Sequence, residues 1–192
     1  MDLRTTKYQD IESFKLPPNF RGRSNWVVIL WWFTQKTLFA WSPIFLYQWR
    51  NFLLRFFGAK IGKKVLISPS VRIIYPWRLS IGDYSWIGEN VELYTLNEIS
   101  IGHDTVISQR SYICSGGHDY LSPTFDTTVG SVYIGNEVWI ATDVFVSPGV
   151  HIGNAVVVGA RSNVFSDLPD GMICYGSPAK VVKERKPKDT QS

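Results

Sequence analysis

From Ile61 to Val164 an aliphatic residue returns at every sixth position, with three interruptions. This period predicts a mainly β chain wound as a left-handed parallel β-helix of hexapeptide repeats. Three observations carry the prediction. Ile61, Ile67 and Ile73 form one group, Ile81, Ile87 and Leu93 a second, and Ile101, Ile107 and Ile113 a third; Ile134, Ile140, Val146, Ile152, Val158 and Val164 follow without a break. Glycine often follows the aliphatic residue, as at Gly62, Gly82, Gly102, Gly135 and Gly153. A small or β-branched residue stands four positions on, as at Val65, Ser85, Thr105 and Val138.

Helices repeat at about 3.6 residues and strands at about 2. Six residues fit one short strand and one turn, so three hexapeptides make a triangular coil. The aliphatic residues point inward and stack on those of neighbouring coils, and each coil touches only the next. The small residue fits beside them, and glycine is expected to serve the corner with left-handed backbone. Trp77, Asn97 and Gly117 break the small-residue rule, each in a third-face hexad. The spacing opens by two residues after Ile73 and after Leu93, and by fifteen after Ile113. That last insertion, about 117–132, has to leave the prism as a loop, and a long loop in a compact domain usually carries function.

Before the repeats, residues 26–57 are dense in Trp, Phe and Leu. Gln35 and Lys36 interrupt the apolar run and Ser42-Pro43 breaks it again, so neither half reaches the ~20 apolar residues of a membrane-spanning helix. Ser42 followed by Pro43 reads as an N-cap and a first helical residue, and Gly58 as a helix stop. The expectation is an N-terminal helical hairpin over 25–41 and 43–57. It suits packing against the prism or a neighbouring subunit; the alternative is peripheral contact with a membrane surface. The chain then divides into an N-terminal tail and apolar helical segment (1–58), a β-helix (59–175) with loop 117–132, and a C-terminal segment (176–192) holding a short helix.

Composition narrows the function. The net charge of +4 and pI of about 9.1 come without a run of like charges, so an ordinary solvated surface fits, with a phosphate or anionic-surface site as the alternative. No basic stripe suggests nucleic acid. Cys114 and Cys174 make neither a disulfide framework nor a zinc spacing. A reducing, cytoplasmic setting is expected, peripheral on the inner membrane face if residues 26–57 touch lipid.

The hexapeptide array, the loop opening Cys114-Ser115-Gly116-Gly117-His118-Asp119, the segment Ile134-Gly135-Asn136-Glu137-Val138-Trp139-Ile140 and the ending Gly176-Ser177-Pro178-Ala179-Lys180 resemble the hexapeptide-repeat O-acetyltransferases. That group contains the maltose and galactoside O-acetyltransferases. Trp31-Trp32, Leu38 to Pro43, Tyr75-Pro76-Trp77 and Leu93 to Leu96 are similar to the colanic acid biosynthesis (WcaF-type) subgroup. The resemblance implies transfer of acetyl from acetyl-CoA to a sugar hydroxyl, without a metal, in a homotrimer with sites between subunits. The implied acceptor is an exopolysaccharide sugar or its lipid-linked precursor.

Acetyl transfer to an alcohol needs a base, and a histidine side chain exchanges its proton near neutral pH. The resemblance gives that role to His118. Asp119 beside it reads as loop structure. Glu98 stands twenty residues earlier, at the same corner of the previous coil, and suits orienting the imidazole, binding the acceptor, or plain surface exposure. Tyr94 and Asn97 are weaker candidates for sugar contacts. For the cofactor, the resemblance points to Trp139 along the CoA groove and to Ala141 and Thr142, whose backbone approaches the thioester and offers an oxyanion donor. It also points to Gly159 and Ala160 beside the pantetheine, and to Lys180 and Lys183 facing the phosphates. Phe165-Ser166 departs from the Thr-Lys of many relatives, which removes one expected phosphate contact.

Three alternatives stand beside this reading. A γ-carbonic-anhydrase-like metalloenzyme shares the β-helix, and His118 and His151 fall at equivalent corners, with His103 elsewhere. A non-catalytic binding scaffold would lack the histidine loop. N-acetyl transfer to an amino sugar differs only in the acceptor.

Overall fold

The computed structural model describes residues 8–186, and it is a parallel β-helix of five turns and part of a sixth. The first face stacks Lys60–Ile61, Leu79–Ile81, Ile99–Ile101, Val132–Ile134 and His151–Ile152. The second stacks Leu66–Ile67, Trp86–Ile87, Val106–Ile107, Trp139–Ile140, Val157–Val158 and Met172–Gly176. The third stacks Arg72–Ile73, Glu92–Tyr94, Tyr112–Cys114, Phe145–Val146 and Asn163–Val164. Register follows the period of six: Ile61, Ile81, Ile101, Ile134 and Ile152 form one inward column. Ile67, Ile87, Ile107, Ile140, Val158 and the buried Cys174 form another. Burying such columns removes apolar area from water at about 25 cal/mol per Å².

The corners correct one expectation. Left-handed backbone falls on Lys64, Tyr84, Asp104, Glu137 and Ala155 between the first two faces, and on Asn90, Arg110, Asp143 and Arg161 between the second and third. The glycines two residues earlier at the first of these corners are needed for a different reason. A Cβ on Gly82 would sit 2.5 Å from the His103 nitrogen, and one on Gly102 would sit 2.6 Å from the Gly135 carbonyl carbon. The glycine is absent bulk under the next coil, not a source of positive φ.

The helical hairpin closes the open end of the first coil. Its first helix, Asn25–Thr34, runs on as a wider π-helical turn, Gln35–Phe39, and its second is Tyr47–Phe56. The second helix starts four residues later than Ser42-Pro43 suggested. The buried Arg50 guanidinium takes the Ser42 hydroxyl and Pro43 carbonyl (2.8 Å each) and the Ile44 carbonyl (2.5 Å), which holds 42–46 in an open turn. Gly58 (φ 98°) ends that helix as predicted: its N–H bonds the Arg55 carbonyl and the Ala59 N–H bonds the Leu54 carbonyl. The edge of the first coil is then satisfied by side chains. Arg55 donates to Ile61 (3.0 Å) and Gly62 (2.7 Å), Asn51 to Val65 (2.8 Å), Arg50 to Ile67 (2.7 Å) and the Trp31 indole to Ile73 (2.9 Å). A solenoid end needs such a cap, because its last strands otherwise present unpaired backbone.

At the other end, among the described residues, a strand stands where a short C-terminal helix is expected. Ala179–Glu184 is a strand, antiparallel to Met172–Gly176 across the Ser177-Pro178 turn. Pairing with the second face satisfies its backbone, which an exposed helix of that length would not offset. The fifteen-residue insertion is likewise ordered. Gly116–His118 pairs antiparallel with Thr127–Val129, making a hairpin that projects from the corner between the third and first faces.

Candidate active site

His118 ends the first strand of that hairpin with its ring exposed. Its Nδ1 lies 2.9 Å from the Phe125 carbonyl oxygen. A carbonyl only accepts, so Nδ1 carries the hydrogen and Nε2 keeps a free lone pair. The Phe125 ring stacks on the imidazole at 4.1 Å and 9°, and Phe14 of the N-terminal segment meets it edge-on at 5.9 Å. The ring is thus held in one tautomer and one plane. Asp119 shapes the turn instead: its N–H donates to the Asp126 carbonyl and its carboxylate accepts the Leu121 N–H. The Thr124 and Ser122 hydroxyls hold the Asp126 carboxyl below the usual carboxylate range.

Tyr94, Asn97 and Glu98 lie at the same corner, one coil nearer the cap. The buried Ser115 hydroxyl ties the two coils: it is 2.8 Å from the Tyr94 carbonyl and 2.9 Å from that of Asn97, and it accepts the Asn97 N–H. Glu98 is exposed, within electrostatic reach of the part-buried Arg78, whose pKa burial lowers. Arg78 donates to the Leu96 and Phe20 carbonyls, which pins the N-terminal segment along this corner. Burial raises the Tyr94 hydroxyl pKa, and its ring lies 5.8 Å from that of Tyr112. Cys114 is buried, its Sγ on the Gly116 carbonyl.

The residues expected at the cofactor gather elsewhere. Trp139 is half-exposed on the outer side of the second face, its indole donating to Ser108 (3.0 Å). Val157, Ile173 and Lys183 follow it in register, and Lys180 pairs with Tyr175 on the same final hairpin. Thr142 stands at the corner between second and third faces, its hydroxyl bonded to the Gln109 carbonyl, and the exposed Ala160 is in the next coil. Arg110 grips Asp143 there through two hydrogen bonds, 2.7 and 2.9 Å. Two expectations change. The Ala141 N–H is taken by the Val158 carbonyl (2.9 Å), so it is no oxyanion donor. Gly159 lies beneath Tyr175, whose Cβ would stand 2.8 Å from an added methyl, so close packing within the chain already requires it.

The two groups therefore occupy opposite edges of the third face: His118, Tyr94, Asn97 and Glu98 at one, and Ala141, Thr142, Gly159 and Ala160 at the other. The metal alternative finds no support in the geometry. His118 is carried out on the hairpin, His151 sits on the first face beside Tyr133, and His103 bonds Asp104. Among the described residues no three His, Cys, Asp or Glu side chains gather as a metal site. Phe125, Phe14 and Ser108 were not singled out from the sequence. Only the length of the insertion hinted at Phe125, and nothing local marked the other two.

No protein-family model matches the chain. WcaF of Escherichia coli (strain K12), named for acetyl transfer in colanic acid biosynthesis, is 56% identical over 177 residues, covering 92% of this chain and 97% of WcaF. Galactoside O-acetyltransferase of the same organism is 28% identical over 143 residues, covering 73% and 70%. Among solved structures, the hexapeptide-repeat acetyltransferase VCA0836 of Vibrio cholerae superposes with a TM-score of 0.76 at 26% identity, over 85% of this chain and 95% of that one. A galactoside acetyltransferase in complex with coenzyme A shares the fold at a TM-score of 0.80 and 24% identity, over 93% and 90%. With a period of six carried into three buried columns and a relative this similar along nearly its whole length, the chain belongs to the hexapeptide-repeat acetyltransferases, in the WcaF colanic acid biosynthesis branch.

Proposed function

We propose that this chain transfers acetyl from acetyl-CoA to a hydroxyl of a sugar, with His118 as general base, in a homotrimer whose sites lie between subunits. The observation that carries the reading is the His118 imidazole, with Nδ1–H fixed on the Phe125 carbonyl and no hydrogen-bond partner on Nε2 among the described residues. Nε2 takes the proton of the acceptor hydroxyl as its oxygen attacks the thioester carbon. The tetrahedral adduct collapses, the C–S bond breaks, and the imidazolium proton passes to the departing CoA thiolate. The oxyanion needs a backbone donor, and with Ala141 engaged in the ladder this falls to the Thr142 N–H. Trp139 flanks the pantetheine, and Lys180 and Lys183 face the phosphates. Glu98, Asn97 and Tyr94 line the acceptor side.

The separation of the two residue groups supports the assembly. Each protomer holds the base at one edge of its third face and the cofactor residues at the other, so neither edge alone is a site. A closed head-to-tail trimer brings His118 of one protomer to the Thr142 corner of the next. The colanic acid relative favours an exopolysaccharide sugar or its lipid-linked precursor as acceptor. The test is acetyl-CoA consumption with free and lipid-linked sugars, O-acetylated product being identified by its alkali lability. Turnover that depends on the sugar supports the reading. An alkali-stable amide product would replace it with N-acetylation, and near-normal turnover by His118→Ala would remove the base.

A further inference from the structure

Among the described residues nothing covers the outer side of the N-terminal hairpin. Its inner side is used in full on the first coil, through Val28, Trp31, Phe39, Leu53 and Leu54. Outward it presents Trp41 at 85% exposure, Trp26 at 81% and Phe45 at 72%, with Phe56 and Phe33 close behind. The first helix, Asn25–Thr34, is apolar on nearly every side, the pattern of a helix buried in a core or in lipid. Its ten residues span only ~15 Å. No helix among the described residues is long and apolar enough to cross a membrane. Leu38, Trp41, Pro43, Leu46 and Trp49 line an open apolar groove on this side.

The charges are divided in the same way. Residues 13–82, which hold the hairpin and the first coil, carry eleven Lys and Arg and no Asp or Glu. The rest of the chain carries nine against sixteen. Lys36, Lys60 and Lys63 are exposed around the apolar cap, and Arg21 lies 5.8 Å from the Trp32 ring. A second copy docked cap to cap would set one cationic rim against the other, which is unfavourable. An anionic lipid surface matches both features, taking the rings at its interface and the cations at its headgroups.

We propose that the capped end of the β-helix docks on a membrane bearing anionic lipids, with the prism axis standing off the surface. His118 follows the third coil, two coil rises of ~4.8 Å beyond the first, and the helical cap adds a layer of about 10 Å, so the base stands about 20 Å above the docked face. The N-terminal segment joins the two places: Phe14 touches His118, while the Arg21 carbonyl accepts the Trp77 indole beside the first helix. An acceptor anchored in the membrane reaches the base if its saccharide extends about 20 Å from the surface. Docking does not rest on the acetyl-transfer reading, and either can fail alone.

The test is co-sedimentation of the full chain with vesicles of phosphatidylcholine alone and of phosphatidylcholine with phosphatidylglycerol. Binding to the phosphatidylglycerol vesicles is expected, weakening as salt rises, with tryptophan emission shifted to the blue. The variant Phe33→Ser/Trp41→Ser/Phe45→Ser changes exposed rings only; it should lower partitioning about tenfold or more and leave consumption of acetyl-CoA with a soluble sugar unchanged. Absence of pelleting, or equal pelleting of the variant, overturns docking. So does a smaller assembly for the variant in sedimentation velocity, because the rings would then be covered by another copy.

Discussion

The two corners that border the third face are built from the same repeat and behave differently. Between the second and third faces the spacing of six never slips, and four successive turns take the same left-handed residue at Asn90, Arg110, Asp143 and Arg161. Between the third and first faces every departure occurs: two extra residues, two more, then fifteen. The regular corner makes a straight ridge along the axis, suited to a long cofactor. The irregular corner makes a projection that carries the exposed His118 ring. In this solenoid, repetition builds a straight ridge and interruption builds the hairpin that carries His118.

The largest expected effect separates the two. His118→Ala should lower kcat/KM by about 10²- to 10⁴-fold with an unchanged circular dichroism spectrum, because the ring is exposed and nothing in the core rests on it. Blocking the regular corner with Ala160→Trp should act through the cofactor, raising KM for acetyl-CoA before kcat falls. Phe125→Ala keeps the carbonyl that orients Nδ1 and removes the stacked ring, so kcat should drop by about tenfold through looser placement, with KM for acetyl-CoA unmoved.

Stability sharpens the contrast. Gly82→Ala would press a methyl into the next coil and should cost about 2–3 kcal/mol in urea unfolding. Gly117→Ala on the hairpin meets only Thr128 Oγ1 at 3.7 Å and should change stability by less than about 0.5 kcal/mol. The smallest effect concerns Arg110 and Asp143. The Arg110 guanidinium, first by its hydrogen bonds, holds the Asp143 carboxyl below the usual carboxylate range. A depressed carboxyl stabilises above its unfolded pKa and loses that contribution as pH falls through the folded value. Arg110→Ala should therefore lower stability at neutral pH only slightly, because the pair is exposed, and the difference from the unmutated chain should vanish as pH falls through the carboxylate range.

The fold was legible because burial columns leave a period in the chain, and Ile61 to Val164 records it directly. Other features of the structure leave no trace in the period. Glycine after the aliphatic residue signals crowding by the next coil, which looks the same in sequence as a left-handed corner. Ser42-Pro43 carries helix-start chemistry, but Arg50 claims the same atoms for a turn. The last strand has no strand signature of its own, because its pairing partner, Met172–Gly176, comes beside it only once the chain has wound round. At the site, His118 stood out by residue type within the insertion. Its tautomer depends on the Phe125 carbonyl, a backbone group without a sequence signature, and the loss of the Ala141 N–H to Val158 follows only from coil stacking.

The central claim is that the base and the cofactor ridge of one site come from different protomers. Co-expression of His118→Ala with Ala160→Trp subunits tests it at acetyl-CoA well below the raised KM, where each variant alone should be nearly inactive. With random mixing, one junction in about four joins an intact His118 to an intact cofactor corner. Recovery of about a quarter of wild-type activity is the predicted result, and activity no higher than the sum of the two single variants would contradict the account.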